Sequence, residues 1–236
     1  MRILVLICLC LLLTNCEDKQ SRQKKNNSST IDSTKTEKEI AKKDSVTTET
    51  NEIPLLDDKN AIPFFQQYEK ENKENKVRIY TDFGNIDILL FEETKYHRAN
   101  FIFLTKQNYF SYTQFYRVIN NFVIQGGNSD DYDIARKRNA IGKYLLPTDS
   151  KKGFVHDRGV VSMPSGEIEN PYKLASPFEF FIVQQKGGAH HLNGDYTIFG
   201  KVIAGMDVVD TIAAQPTDEG DWPLKNIYIT KVEIIK

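Results

Sequence analysis

Phe115-Tyr116-Arg117-Val118-Ile119-Asn120-Asn121-Phe122-Val123-Ile124-Gln125-Gly126-Gly127 is the stretch from which the rest of this chain can be read. Its apolar and aromatic residues fall into two short runs rich in β-branched and aromatic types. Asn120-Asn121 supplies turn chemistry between them, and Gly126-Gly127 marks a stop. The pattern predicts a strand, a tight reversal and a second strand. Arg117 and Gln125 interrupt runs that would otherwise be plain core. An arginine there costs too much to be buried unpaired, so Arg117 is either half of a structural ion pair or faces a cavity where something binds.

The flanking sequence is predominantly strand-like. Residues 77–83 and 86–91 flank Gly84-Asn85, which reads as a hairpin turn. Thr94 is placed to cap a helix running to Lys106, with Ala99, Ile102 and Phe103 at i, i+3 and i+4. Residues 128–152 are polar, with Tyr144-Leu145-Leu146-Pro147 as the one apolar island, and read as a long loop with a strand fragment. Strands are expected at 159–163, 178–184 and 197–202. A second helix is expected at 206–214, with Val208, Val209 and Ile212 facing inward. Strands outnumber helices and tight turns join several of them, which argues for an antiparallel sheet closed on itself and capped by two helices.

The central stretch closely resembles the signature segment of the cyclophilin-type peptidyl-prolyl isomerases. HDRGVVSM at 156–163, FEFFIV at 178–183, LNGDYTIFGKVIAGMDVVDTI at 192–212 and a closing strand at 227–235 follow in the family's order, so the resemblance covers residues 76–236. It implies a mainly β domain: a closed eight-stranded antiparallel barrel with a helix over each end. It also implies rotation about X-Pro bonds in exported or unfolded polypeptides, with no cofactor. Such a bond turns over a barrier of ~18–20 kcal/mol because the amide nitrogen's lone pair is delocalised into the carbonyl. Rotation removes that delocalisation, so a donor aimed at the prolyl nitrogen stabilises the twisted amide more than either ground state. Neither nucleophile, metal nor general base is needed.

By the resemblance, Arg117 is that donor and Gln125 supports it. Phe122 joins them as a catalytic residue and lines the proline pocket with Val123, Phe181 and Leu192. Met163, Ser165, Glu179, His191 and Tyr196 complete the expected substrate-binding set. Several of these depart from the family pattern. Val123 stands where Met is usual, Pro164-Ser165 where Ala-Asn is usual, Glu179 replaces Gln, His191 occupies a common Trp position and Tyr196 a common His position. Ionised Glu179 can accept hydrogen bonds but not donate them, and is expected to pair with Arg117 in competition with substrate. Ser165 and Glu179 therefore favour an alternative, a catalytically weak proline-peptide-binding adaptor.

Upstream of the domain, residues 60–75 carry Ile62, Phe64, Phe65 and Tyr68 ahead of a charged run and read as a short helical lead-in, with Pro63 at a first helical position. Residues 17–59 hold nine Lys/Arg against ten Asp/Glu and no aromatic residue. They cannot bury enough apolar surface to offset the entropy of ordering, and 16–59 is expected to be a disordered tether. Residues 1–15 have Arg2 and then eleven apolar residues, too short to span a bilayer and shaped like a secretory signal. Leu13-Thr14-Asn15-Cys16 resembles the lipobox of bacterial lipoproteins, which implies lipidation of Cys16 and an extracytoplasmic, membrane-anchored protein. Cys8 and Cys10 fall in the segment that would be removed, so no thiol is left for a disulfide, a zinc site or a nucleophile.

The expected partners are thus proline-containing polypeptides and, through Cys16, a membrane; the domain is expected to be monomeric. A net charge of −1 and a pI near 6.4 offer no electrostatic case for nucleic acid. His190-His191, with His97 or His156, invite a metal reading. Adjacent side chains on an extended segment diverge, however, and no ligand spacing such as HExxH is present, so no metal is expected. Gly126-Gly127 and Gly187-Gly188 do not open onto a helix followed by Lys-Ser/Thr, and are not phosphate loops.

Overall fold

In the computed structural model, residues 54–166 and 170–236 are described; the proposed signal, Cys16 and the tether up to residue 53 lie outside them. The described part begins with β1 (Leu56–Asp57) and α1 (Ala61–Glu71), followed by β2 (Lys76–Thr81), β3 (Gly84–Leu90) and α2 (Lys95–Lys106). The central stretch gives β4 (Thr113–Ile119) and β5 (Val123–Asn128), and α3 (Tyr132–Ile141) runs into β6 (Gly142–Lys143). Then come β7 (Val160–Met163), β8 (Phe180–Val183), a single 3-10 turn (His190–Leu192), β9 (Thr197–Ala204), α4 (Met206–Ala213) and β10 (Tyr228–Ile234).

Eight strands close a barrel in the order β10-β2-β3-β9-β7-β8-β5-β4, and every pairing in it is antiparallel. Alternation decides which side chains fill it: Val77 and Ile79 of β2 and Ile86, Ile88 and Leu90 of β3 are buried at every second position. Aromatic rings occupy the middle. Phe101 of α2 stacks on Phe110 at 4.6 Å and meets Phe180 edge-on at 5.6 Å. α2 packs on β9 and β10, and α4 on β3, β4 and β5. Val209 and Ile212 of α4 are buried and Val208 packs against the core.

β8 divides the interior. Phe180 and Ile182 belong to the main core, whereas Phe181 and Val183 point the other way, into a second apolar cluster with Val123 and Ala189. Phe122, Val160, Leu192 and Tyr196 pack against that second cluster.

Several sequence expectations change. The β2–β3 turn is Asp82-Phe83, with Thr81 paired to Gly84 and Tyr80 to Asn85, two residues ahead of the expected Gly84-Asn85. Gly84 is needed for its φ of +128° and because a Cβ there would lie 2.8 Å from Val208 Cγ2. β5 continues through Gly126-Gly127 to Asn128 instead of stopping at the glycines. Thr94 is the N-cap residue of α2 but makes no side-chain cap hydrogen bond, and Pro63 is third in α1, behind Ala61 and Ile62. The expected long loop contains α3. Asp131 caps it by accepting from the Asp133 amide, and Ile134 is its one buried residue.

The boundary drawn for the tether at Lys59 also moves. Leu56 is buried, and β1 pairs in parallel with β6, where Gly142 lets the Leu56 carbonyl approach to within 2.0 Å of where a Cβ would stand. α1 packs on α2 through Phe64, Phe65 and Tyr68 around Phe103, at ring distances of 5.2, 5.8 and 5.5 Å. Arg98, almost fully buried, spans the two helices by donating to the carbonyls of Asn72 and Glu74.

Two buried imidazoles give the fold a pH signature. Burial pulls His97 down to about 3, and neither of its ring nitrogens has a hydrogen-bond partner among the described residues. Burial also lowers His156. His97 stays neutral in the fold down to about pH 3, and His156 takes up its proton at a lower pH than the unfolded chain does, so stability falls as the pH drops below ~6.5, by up to ~1.4 kcal/mol per unit for His97. Asp87 and Asp210 are held low by hydrogen bonds from Arg78 and Arg158, and those contributions are lost only at lower pH, below about 4. The melting temperature is therefore expected to fall between about pH 6.5 and 4.5, and His97→Leu to flatten the slope. An unaltered slope in that variant would remove His97 as its source.

Candidate active site

Strand register assembles the site. Arg117 on β4 is paired with Gln125 on β5, and Gln125 in turn with Phe181 on β8. Directly opposed residues share a face, so one cross-strand row carries a guanidinium, an amide and a phenyl ring. The β4–β5 reversal brings Phe122 to the same place. Asn121 takes the left-handed conformation at φ 56°, and the Phe122 carbonyl accepts from the amides of Gln184 and Gln185 at 2.8 and 3.0 Å, tying the turn to the end of β8.

The result is an open cavity of about 380 Å³ lined by Arg117, Phe122, Val123, Gln125, Pro164, Ser165, Gly166, Glu179, Phe181, Leu192 and Tyr196. Nine of the residues singled out in the sequence therefore meet there. Phe181 forms the floor, braced edge-on by Tyr196 at 5.6 Å and from behind by His156, whose ring lies nearly parallel at 6.0 Å.

Two expected members stand elsewhere. Met163 is in the main core, because Val161 and Met163 share the inward face of β7 and Ser162 between them points away. His191 is on the outer side of Phe122, stacked on its ring at 5.4 Å.

The expected Glu179–Arg117 pair is not formed. Glu179 accepts from the Tyr116 hydroxyl at 3.1 Å and from Asn128 at 2.9 Å, and Arg138 of α3 lies 3.8 Å away. The Tyr116 oxygen in turn accepts from the Gln125 amide, so a polar relay runs Gln125, Tyr116, Glu179 along one wall. Burial, and then the Glu179 charge, push the Tyr116 phenol far above its ordinary range, which keeps it protonated and donating. Arg117 pairs instead with Asp221, Nη2 to Oδ2 at 3.3 Å, while still facing the cavity. Both halves of the alternative posed by the sequence thus hold at once.

The four histidines diverge. His156 bridges Ser162 and Asn193 at 3.0 and 2.9 Å, His190 meets Asp157 at 2.7 Å, His191 caps Phe122 and His97 is buried in α2. Among the described residues no group of three or more His, Cys, Asp or Glu could hold a metal ion. Sequence reasoning missed Tyr116, taken as core, together with Gly166 and the Asp221-Trp222 pair. Gly166 lines the cavity and the other three contact its lining residues or one another; nothing local to any of them signals this.

Comparison with known proteins agrees with this architecture. Residues 76–234 match the family model for the cyclophilin type peptidyl-prolyl cis-trans isomerase/CLD. The chain is 37% identical over 169 residues to peptidyl-prolyl cis-trans isomerase-like 2 of Rhizopus delemar, covering 71% of this chain but 30% of that protein. It is 34% identical over 164 residues to a peptidyl-prolyl cis-trans isomerase of Acinetobacter baylyi, covering 67% of this chain and 84% of the relative. A Cryptosporidium parvum cyclophilin type isomerase, crystallised in the presence of the dipeptide Ala-Pro, aligns with a TM-score of 0.57 at 30% identity, over 68% of this chain and 99% of that one. With its closed barrel, its Arg–Gln–Phe row and a family model spanning most of its length, the chain belongs to the cyclophilin-type peptidyl-prolyl cis-trans isomerase family.

Proposed function

We propose that the domain accelerates rotation about X-Pro bonds in exported or unfolded polypeptides through Arg117. The observation that carries this is the juxtaposition, in one open cavity, of a permanently charged guanidinium with an apolar floor of Phe122, Val123, Phe181 and Leu192. The proline ring occupies the floor, and the guanidinium donates toward the amide nitrogen as its lone pair becomes available in the twisted state. Gln125, its amide oriented by Tyr116, borders the peptide backbone. The Ala-Pro dipeptide used with the Cryptosporidium relative supports a proline-containing substrate. A protease-coupled assay on a short X-Pro peptide tests the proposal: isomerisation above the uncatalysed rate is expected, and none would overturn it.

The lipobox-like Leu13-to-Cys16 segment supports a membrane location for this activity. We propose that Cys16 is lipidated and that the domain works outside the cytoplasm. Cys16→Ser is then expected to move the protein from the membrane fraction to the soluble one, or to block maturation. A variant that fractionates and migrates like the parent protein would contradict the anchor.

A further inference from the structure

We infer that Asp221 is a positioning residue for Arg117, built into the chain by the loop between α4 and β10. The inference rests on the isomerase reading above and assigns a part of the same site that lies far from it in sequence.

β10 pairs with β4 only at Thr113 and Gln114, so the edge of β4 beyond that point needs other partners. The α4–β10 loop supplies them: the Phe115 amide donates to the Ile227 carbonyl at 2.9 Å, and the Val118 amide to the Asp221 carbonyl at 2.8 Å. The loop is a small hairpin closed by successive bonds. The Leu224 amide donates to Pro216, Thr217 bridges Pro223, and the Asp218 amide donates to Trp222 at 2.9 Å. At its tip Asp218 Oδ1 accepts from the amides of Gly220 and Trp222, both at 2.9 Å. Asp221 has a left-handed φ of 65°, a conformation that non-glycine residues adopt sparingly.

That construction docks on three consecutive residues. Trp222 packs against the Tyr116 ring at 5.7 Å, the Asp221 carboxylate meets the Arg117 guanidinium at 3.3 Å, and the Asp221 carbonyl holds the Val118 amide. Both partners of the ion pair are more than a third exposed, at 39% and 38%, so solvent screening leaves the pair little part in stability. Its effect is orientation. Arginine has many rotamers, and a carboxylate fixed to the backbone of the next residue restricts Arg117 to those whose remaining N–H groups face the cavity. The carboxylate never needs to touch substrate.

The test is a double-mutant cycle on the full-length protein, reading kcat/KM for an X-Pro peptide and, separately, the peptide's Kd. Asp221→Ala is expected to lower kcat/KM roughly five- to tenfold while changing Kd less than about twofold, since a positioning contact matters mainly in the transition state. Asp221→Asn, which keeps an oxygen for the guanidinium to donate to, should recover most of the loss. In an Arg117→Ala background, Asp221→Ala should cost nothing further. Equal losses in both backgrounds would mean that the loop acts through the fold and would overturn the inference, as would an unchanged or increased kcat/KM for Asp221→Ala. A parent protein with no rate above background would instead bring down the isomerase reading, and this inference with it. A parent rate that Arg117→Ala abolishes and Asp221→Ala leaves intact brings down this inference alone.

Discussion

Arg117→Ala is expected to lower kcat/KM by about two orders of magnitude or more, because in the proposed mechanism the interaction it removes belongs mainly to the twisted amide. Affinity for a proline peptide should change much less, since Phe122, Val123, Phe181 and Leu192 still line the cavity. Removing Arg117 leaves no uncompensated buried charge, because its partner Asp221 is partly exposed. The loss should therefore appear without unfolding, which circular dichroism checks. Phe122→Ala is the complementary control: it removes the ring at the end of the β4–β5 turn and should weaken binding and turnover together. If the parent protein shows no isomerisation above background and Arg117→Ala alters affinity alone, the domain is a proline-peptide-binding adaptor on the same fold.

A chain that starts at Lys76, where the family match begins, is expected to lose about 4 kcal/mol of stability or more relative to the full chain, a large part of what a domain of this size has. The reason is that α1 and β1 are structural parts of this domain. Phe65 is fully buried, and removing a phenyl ring of that kind costs ~3–5 kcal/mol alone. The cut also strips Arg98 of Asn72 and Glu74, the acceptors for a nearly fully buried guanidinium, at a further ~1–3 kcal/mol. A melting temperature within a few degrees of the full chain's would show that Leu56, Phe64, Phe65 and Tyr68 contribute little.

The barrel was legible because its determinants are local. Alternation in β2 and β3 and the Asn120-Asn121 reversal all lie within a few residues of the structure they specify. The same holds for the site residues on β4, β5 and β8, which register brings into one row. α3 escaped because helical periodicity needs an apolar stripe, and this helix buries only Ile134. Its start and stop signals were present, Asp131 as cap and Gly142 as terminator, and deserved more weight than the missing stripe. Without α3 nothing in the sequence brings Arg138 to Glu179, where the fold places it at 3.8 Å. Asp221 was illegible for a different reason. Its meeting with Arg117 depends on how the α4–β10 loop returns across the edge of β4, a tertiary event with no local signature.

β8 has one face in the barrel core and the other on the cavity floor, so the two compartments share a wall one strand thick. Remodelling this pocket for a different peptide is therefore not equally cheap everywhere along its rim. A new side chain at Phe181 shifts a backbone whose next residues, Phe180 and Ile182, are pressed into the packed interior, and any displacement must be absorbed there. Residues 122 and 192 belong to the turn and the 3-10 segment, are only partly buried, and can change shape with less of that resistance. Directed variation of specificity has its room on the turn side of the cavity, while the β8 side acts as the fixed jaw against which every substrate is measured.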